Sequence, residues 1–481
     1  MKKITLLLLI LSCWIGPIVG QSLFKNASRY QMLPIPGLKS NSITDIAIVD
    51  ENTIWLGTGN GLAKTEDSGK TWRTFTEKDG IGRGGVSALA VTKEIIWVAT
   101  AFDTLIQGEH QAAGGGLSYS VDNGTTWNYI PQPFPRSNWT VINNVTYDIA
   151  LIDSIVWIAS FGGGLMKSSD RGKTWVVQPP DNYNFNPDQY LNHRVFSLLA
   201  DGDTLWVGTA EGINVSYDAG KTWTTQFTHQ NQQQPISGNF VVSLALQKIG
   251  NRRIIWAGTA NAEDPNEVRG TSWSADGGLT WKTGLQGKFA WNFAFDGAIV
   301  YACTDSGFWK SPDAGETWDV FPQIIDEQTR EKFYTVEYYS AGVAPNKRLW
   351  VGSADGLAYS DNNGFSWNIL RAFVPPGEAG EPRVYAYPNP FTPLRHNQIG
   401  GDGFIRFQFS TNIPTRAKVR IFDFAMDLIT TIEGDQAYPP GNWSIAWNGK
   451  TADGKLLANG VYFYQLELDN GKHWGKILIV D

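Results

Sequence analysis

The feature that most constrains this chain is an eight-residue phrase, S-x-D-x-G-x-T-W, that returns seven times. The copies read TEDSGKTW (65–72), SVDNGTTW (120–127), SSDRGKTW (168–175), SYDAGKTW (216–223), SADGGLTW (274–281), SPDAGETW (311–318) and SDNNGFSW (360–367). Their closing tryptophans are 37 to 58 residues apart, with a mean near 49. A second phrase, an apolar strand ending W-[LVIA]-[GA]-[TS], precedes each copy at Trp55, Trp97, Trp157, Trp206, Trp256 and Trp350, with Tyr301 in the sixth. A unit repeating at this period is the mark of a propeller blade. Each copy parses as four short strands, in the first 43–49, 53–58, 62–65 and 72–76. One such sheet cannot bury both its faces alone, whereas seven arranged radially bury each against a neighbour. The expected fold is all-β, with residues 36–373 as a seven-bladed β-propeller. The domain is drawn as 21–373, because 21–35, Tyr30 to Leu33 above all, are expected to add an edge strand that helps close the ring.

The phrase has a local logic. Its Asp (Asp67, Asp122, Asp170, Asp218, Asp276, Asp313) can accept hydrogen bonds from the N–H groups of its own turn. The Gly two residues on permits positive φ. The Ser/Thr hydroxyl can bind the turn again, and the Trp is placed to enter between blades. The seventh copy has Asn362 for Asp and Ser366 for Thr, and Asn still makes an Asx turn. These octapeptides resemble the Asp-box, or BNR/sialidase, repeat. The strand phrase with its Gly-Leu (WLGTGNGL at 55–62, WVGSADGL at 350–357) is similar to propellers of two-component regulators and of photosystem-assembly and sortilin-type proteins. The resemblance implies that these Asp residues are structural and lie on the face away from the usual ligand site.

Of 21 Trp, thirteen belong to the repeats, Trp443, Trp447 and Trp474 to the C-terminal region, and Trp14 to the N-terminus. Trp139, Trp273, Trp291 and Trp309 remain, and Trp139, in an inter-blade loop, is the best candidate for an aromatic that serves a ligand. The net charge of −7 without a basic stripe argues against nucleic-acid binding. Hydrophobic content of 42% excludes a disordered chain. The only cysteines are Cys13 and Cys303, so no disulfide framework is available, and Cys303 reads as a small buried filler.

Residues 1–20 read as a secretory signal: Lys2 and Lys3, an apolar run over 4–11, then Gly16, Pro17 and Gly20 before the cleavage site. The rival is a lipoprotein box over 10–13, ending on Cys13. The apolar run is too short to span a bilayer, and no other stretch of about 20 apolar residues occurs.

Residues 374–383 (VPPGEAGEPR) form a linker. Beyond it, strands are expected at 384–387, 404–410, 417–424, 428–432, 442–447, 461–468 and 474–480, which suits an immunoglobulin-like β-sandwich over 384–481. Ile405, Phe407 and Phe409 are expected to face its core, and Arg406 and Gln408 solvent. The phrases YPNPF (387–391), VRIFDF (419–424), WNGKTADGKLLANGVYFYQL (447–466) and GKILIVD (475–481) resemble the C-terminal sorting domain of type IX secretion cargo and the related module of flagellar hook-assembly proteins. That resemblance implies a Gram-negative bacterium, the type IX machinery as a partner, and a secreted or outer-membrane-surface location.

In a propeller the loops between second and third strands and those between blades share one face. On it the sequence offers Phe102, Trp139, Tyr190, Arg194, Glu211, Asp305 and Asp355 as ligand-binding candidates, where aromatics and carboxylates could hold a sugar or a protein. A sialidase would need an Arg cluster and an early Phe/Tyr-Arg-Ile-Pro phrase, where this chain has Leu33-Pro34-Ile35-Pro36. A glycosidase would need two carboxylates facing one another, for which Asp103, Glu211, Asp305 and Asp355 are available. The five His show no metal-ligand spacing. The expectation is a propeller that binds a protein or glycan partner, with no cofactor, metal or catalytic residue assigned. The alternatives are a glycoside hydrolase or polysaccharide-binding propeller and an envelope scaffold.

Overall fold

The computed structural model describes residues 29–32, 37–106, 108–133, 144–181, 183–327, 331–373, 376, 383–433 and 437–481. Residues 1–20, Trp139 and nearly all of 374–383 lie outside the described residues. The chain forms two compact units, Met32–Val374, and Met1–Gln31 with Pro375–Asp481.

The first unit is a seven-bladed propeller. Each blade is four consecutive antiparallel strands, from Ile43–Ile48, Ile54–Thr58, Gly61–Thr65 and Arg73–Phe75 in blade 1 to Tyr338–Val343, Leu349–Ser353, Gly356–Ser360 and Asn368–Leu370 in blade 7. One parallel bridge, Gly61 to Gly85, links blades 1 and 2. The second strands are buried from end to end in Ile54–Thr58 and Leu349–Ser353, as a strand packed on both faces must be. The first strands of successive blades touch one another around the ring, blade 7 meeting blade 1.

All six Asp turns follow one pattern. The carboxylate accepts from the Ser/Thr hydroxyl two residues before it and from the N–H and hydroxyl of the Thr four residues after it, at 2.6 to 3.0 Å. In the seventh copy Asn362 Nδ2 donates to Ser366 Oγ at 2.9 Å instead. The turn Gly is required twice over. At Gly220 φ is +76°, and a Cβ there would lie 2.3 Å from the Trp157 ring of the preceding blade. The closing Trp also packs backwards: Trp127 meets Trp55 edge-on at 6.2 Å, Trp223 meets Trp157 at 6.5 Å, and Trp318 meets Trp256 at 6.0 Å. Cys303 is a fully buried free thiol whose ionisation burial pushes up.

The seam between blades 7 and 1 uses the same contacts. Trp72 meets Trp350 edge-on at 6.4 Å, and Gly69 lies over the Trp350 ring. Arg348 Nη1 donates to Ser68 O at 3.2 Å, as Lys64 Nζ donates to Asn123 O in the next blade at 3.1 Å. A reciprocal pair completes it: Asn41 Nδ2 donates to Ala372 O at 2.9 Å, and Ala372 N donates to Asn41 Oδ1 at 2.7 Å. Among the described residues no strand crosses the seam. The expected edge strand does form, over Arg29–Met32, but it pairs with Gly441–Trp447 in the second unit. Its free backbone groups find a partner there, and the ring closes through side chains.

The second unit is a β-sandwich of two four-stranded sheets. Its seven C-terminal strands, Val384–Tyr387, Ile405–Thr411, Ala417–Phe422, Leu428–Glu433, Gly441–Trp447, Gly460–Leu468 and Gly471–Ile479, fall where the alternation places them. Ile405, Phe407 and Phe409 are in its core with Val419, Ile421 and Tyr464. The opposite face departs from expectation: Arg406 and Gln408 are buried as well, at 1% and 3% exposure. Their strand is flanked on both sides, with Gln408 in register between Tyr385 and Ser444. Period-two alternation says which residues share a face, not whether that face is covered.

Candidate functional site

Antiparallel order sends successive turns of a blade to opposite ends. The Asp turns, between third and fourth strands, share one end with the turns between first and second strands. Ser68 N donates to Asn52 O, Ala219 N to Asp203 O and Ala314 N to Ala298 O, at 2.7 to 3.1 Å. This end is held by local hydrogen bonds, and the six Asp-turn carboxylates are engaged within their own turns. The Thr126 hydroxyl first, then the Thr126 N–H and the Ser120 hydroxyl, hold Asp122 at about 2, and Thr174 and Ser168 do the same for Asp170.

The other end carries the entry to each first strand, and there the seven blades share a feature. Every first strand has a bulge after its first residues. The segments read ITDIA (43–47), VSALA (86–90), TYDIA (146–150), VFSLL (195–199), VVSLA (241–245), AWNFA (290–294) and YYSAG (338–342). The extra residue is Thr44, Ser87, Tyr147, Phe196, Val242, Trp291 or Tyr339. A bulge re-aims side chains and is common at rims and sites. The residue after it is small or polar, and in blades 3 to 6 it reaches the next blade. Asp148 Oδ2 accepts from Leu198 N at 2.8 Å, Ser243 Oγ donates to Ala290 O at 2.9 Å, and Asn292 Oδ1 accepts from Ala341 N at 3.3 Å.

The bulges bring aromatic rings to the tunnel mouth. Tyr147 lies 5.4 Å from Phe196, which meets Phe240 edge-on at 4.5 Å and Phe161 at 6.3 Å. Trp291 lies 4.2 Å from Phe289 and 6.5 Å from Tyr339. Two half-buried carboxylates, Asp45 and Asp148, occupy the position after the bulge in blades 1 and 3. Asp45 Oδ1 accepts from Ile46 N, and Asp148 Oδ1 from Ile149 N, each at 2.8 Å. Burial drives Asp45 up to about 6 and Asp148 up to about 7, against these N–H bonds, and the charge of Asp45 adds to the rise at Asp148.

The two sets of carboxylates act oppositely on stability. The Asp turns are ionised when folded and bind protons when unfolded between about 2 and the ordinary 3.8, so their contribution is lost as pH falls through that window. Asp45 and Asp148 hold protons when folded and release them when unfolded between 3.8 and about 6 or 7, so stability falls as pH rises through that window. Thermal melting should therefore peak at mildly acidic pH, and Asp148→Asn should flatten the neutral side of the curve and leave the acid side unchanged. A melting temperature that climbs steadily from pH 4 to 7 in both proteins would contradict these positions.

The residues singled out from sequence fare unevenly. Tyr190 stacks on Tyr183 at 4.9 Å, and Glu211, exposed, accepts from Asn192 N at 3.1 Å. These two and Arg194 belong to one patch. Phe102, in blade 2, has the Arg83 guanidinium 4.2 Å above its ring. Asp305, in blade 6, accepts from Phe289 N at 3.1 Å and pairs with Arg269 at 3.5 Å. Two are committed to the fold. Arg194 is buried, its Nε donating to Pro187 O at 2.6 Å. Asp355 is 1% exposed, and both its oxygens accept from Arg371. Neither side chain is offered to a solute. Trp139 lies outside the described residues. Tyr147, Asp148, Asp45, Phe196, Trp291 and Tyr339 were missed. Their signal was the varied position that precedes a small or polar residue in each first strand.

Among the described residues no group of three or more His, Cys, Asp or Glu is placed to hold a metal. His193 is buried with Nε2 3.0 Å from Asp181, and its Nδ1 accepts from Asn186 N, so the ring is closed to further chemistry.

The chain matches no protein-family model. A stretch of 143 residues is 28% identical to Vacuolar protein sorting/targeting protein 10 of Verticillium alfalfae, covering 28% of this chain and 10% of that protein. Among solved structures, the GH74 enzyme of Niastella koreensis superposes with a TM-score of 0.53 at 15% identity, over 94% of this chain and 75% of that one. An ancestral GH74 enzyme gives 0.53 at 13% identity, over 93% and 63%. YCF48 from Cyanidioschyzon merolae gives 0.42 at 16% identity, over 69% and 97%. The GH74 superpositions establish likeness of fold, the β-propeller.

Proposed function

We propose that this chain is an exported protein whose propeller binds a protein or glycan partner through its tunnel-mouth end, and whose 384–481 module directs it to the cell surface or beyond. The observation that carries the binding half is the contrast between the ends. At one, the six Asp-turn carboxylates are engaged within their own turns. At the other, bulges in all seven blades turn varied side chains, many of them aromatic, toward the tunnel mouth. Rings with half-exposed faces beside polar groups are what partner-binding concavities are made of. The octapeptides support an Asp-box reading, and the resemblance implies a ligand face opposite the turns. The 1–20 leader and the C-terminal phrases support the export half, by a type IX route in a Gram-negative bacterium, with an immunoglobulin-like sorting domain.

In the native host, deletion of 384–481 should leave the protein inside the outer membrane, read by surface labelling of intact cells. Labelling equal to that of the full chain would contradict the sorting role. A glycoside hydrolase is the second reading, favoured by the GH74-like fold and by two carboxylates at one tunnel mouth. It requires reducing-sugar release from a polysaccharide panel that disappears in Asp45→Asn and Asp148→Asn.

A further inference from the structure

We propose that the tunnel mouth takes the cationic side chain of a lysine- or arginine-bearing segment of a partner protein, between Asp45, Asp148 and the Tyr147 ring. This rests on the reading that the mouth is the binding end. The first ground is a pair of acidic side chains without a cationic partner. Other buried carboxylates of the propeller have side-chain partners: Asp355 and Glu331 share Arg371, and Glu267 accepts from the Asn239 side chain as well as from Asn239 N and Ala262 N. Asp45 and Asp148 accept only backbone N–H groups, and among the described residues no lysine or arginine pairs with either. Enclosed carboxylates without a counter-charge are costly, and an arriving cation removes that cost.

The second ground is the aromatic surface beside them. Tyr147 precedes Asp148 in the strand and is 39% exposed, so its ring is open to a ligand. A cation over such a ring within about 6 Å of its centre is held by the ring's quadrupole. The third is the field of the whole chain: a net charge of −7 draws a basic partner and repels an acidic one. A neutral glycan would stack on the rings and leave both carboxylates unmatched, so the charge favours a basic protein segment.

The test uses the full chain and fluorescence anisotropy with three sets of probes: an array of labelled peptides carrying Lys or Arg, the same peptides with Gln in those places, and a panel of neutral and acidic polysaccharides. Binding by Lys/Arg peptides, weakened about tenfold or more in the Gln peptides and in the Asp45→Asn/Asp148→Asn double variant, is expected. Asn keeps an oxygen for the Ile46 and Leu198 N–H groups, and the peptide-side change needs no protein variant. Binding by Gln peptides or neutral polysaccharides that is lost in Tyr147→Ala but unchanged in the double variant would overturn the cation site and keep the mouth as the binding end. Binding by none of the probes would overturn both.

Discussion

Arg371→Ala should destabilise the propeller by about 3–5 kcal/mol, the cost of leaving buried carboxylates without their cation. Arg371 is 3% exposed. Its Nε donates to Glu331 Oε1 at 2.7 Å, Nη1 to Asp355 Oδ1 at 2.7 Å, Nη2 to Asp355 Oδ2 at 3.1 Å, and Nη2 also to Lys332 O at 3.1 Å. One planar fork thus ties the loop leading into blade 7 to the turn between that blade's second and third strands. Arg371→Lys keeps the charge and loses the fork, so it should recover only part of the loss. Adding Glu331→Gln and Asp355→Asn to Arg371→Ala should recover more than Lys does, because it removes the charges that Arg371 balanced. Urea unfolding of the four proteins checks the order. A loss under about 1 kcal/mol for Arg371→Ala would place these groups in water, where such pairs contribute little.

Trp350→Ala should cost about 3–5 kcal/mol, the range for truncating a fully buried tryptophan. Trp350 has no exposed surface, and it packs on Tyr359 at 5.0 Å and Trp72 at 6.4 Å. Trp157→Ala removes the equivalent ring between blades 3 and 4, and the local loss should match. The two differ in where the damage spreads. Blades 3 and 4 are joined by the continuous chain over 178–194, whereas among the described residues blades 7 and 1 meet through side chains and the Asn41–Ala372 pair. In Trp350→Ala, amide exchange should speed up in Ile43–Ile48 and Tyr338–Val343 together, and more than in any other blade. In Trp157→Ala it should stay local. Equal patterns in the two variants would mean that the seam is no weaker than the other boundaries.

How much was legible in the sequence follows from the range of each interaction. The Asp turn is complete within eight residues, so its hydrogen bonds, its glycine and its blade count could be read directly. The positive φ of the residue before the glycine, as at Ser68 and Asn123, was not foreseen. The C-terminal strands were legible for the same reason, since alternation is local. The fate of Arg29–Met32 was not: a free edge strand does not say which sheet it will join. Arg194 and Asp355 looked available because their partners lie in the folded loops around them. The tunnel mouth was the deepest omission. Thr44, Tyr147, Trp291 and Tyr339 acquire a common role only when seven first strands converge on one axis, and nothing in a single blade marks them.

The most direct measurement is a hydrogen-exchange footprint of the full chain with the tightest-binding peptide or polysaccharide from the arrays. Protection over 44–46, 146–149, 195–198, 290–293 and 338–341 is predicted, with the Asp turns at 65–72, 168–175 and 216–223 unchanged. Protection of those turns with no change in the first strands would contradict the assignment of the tunnel mouth as the end that binds.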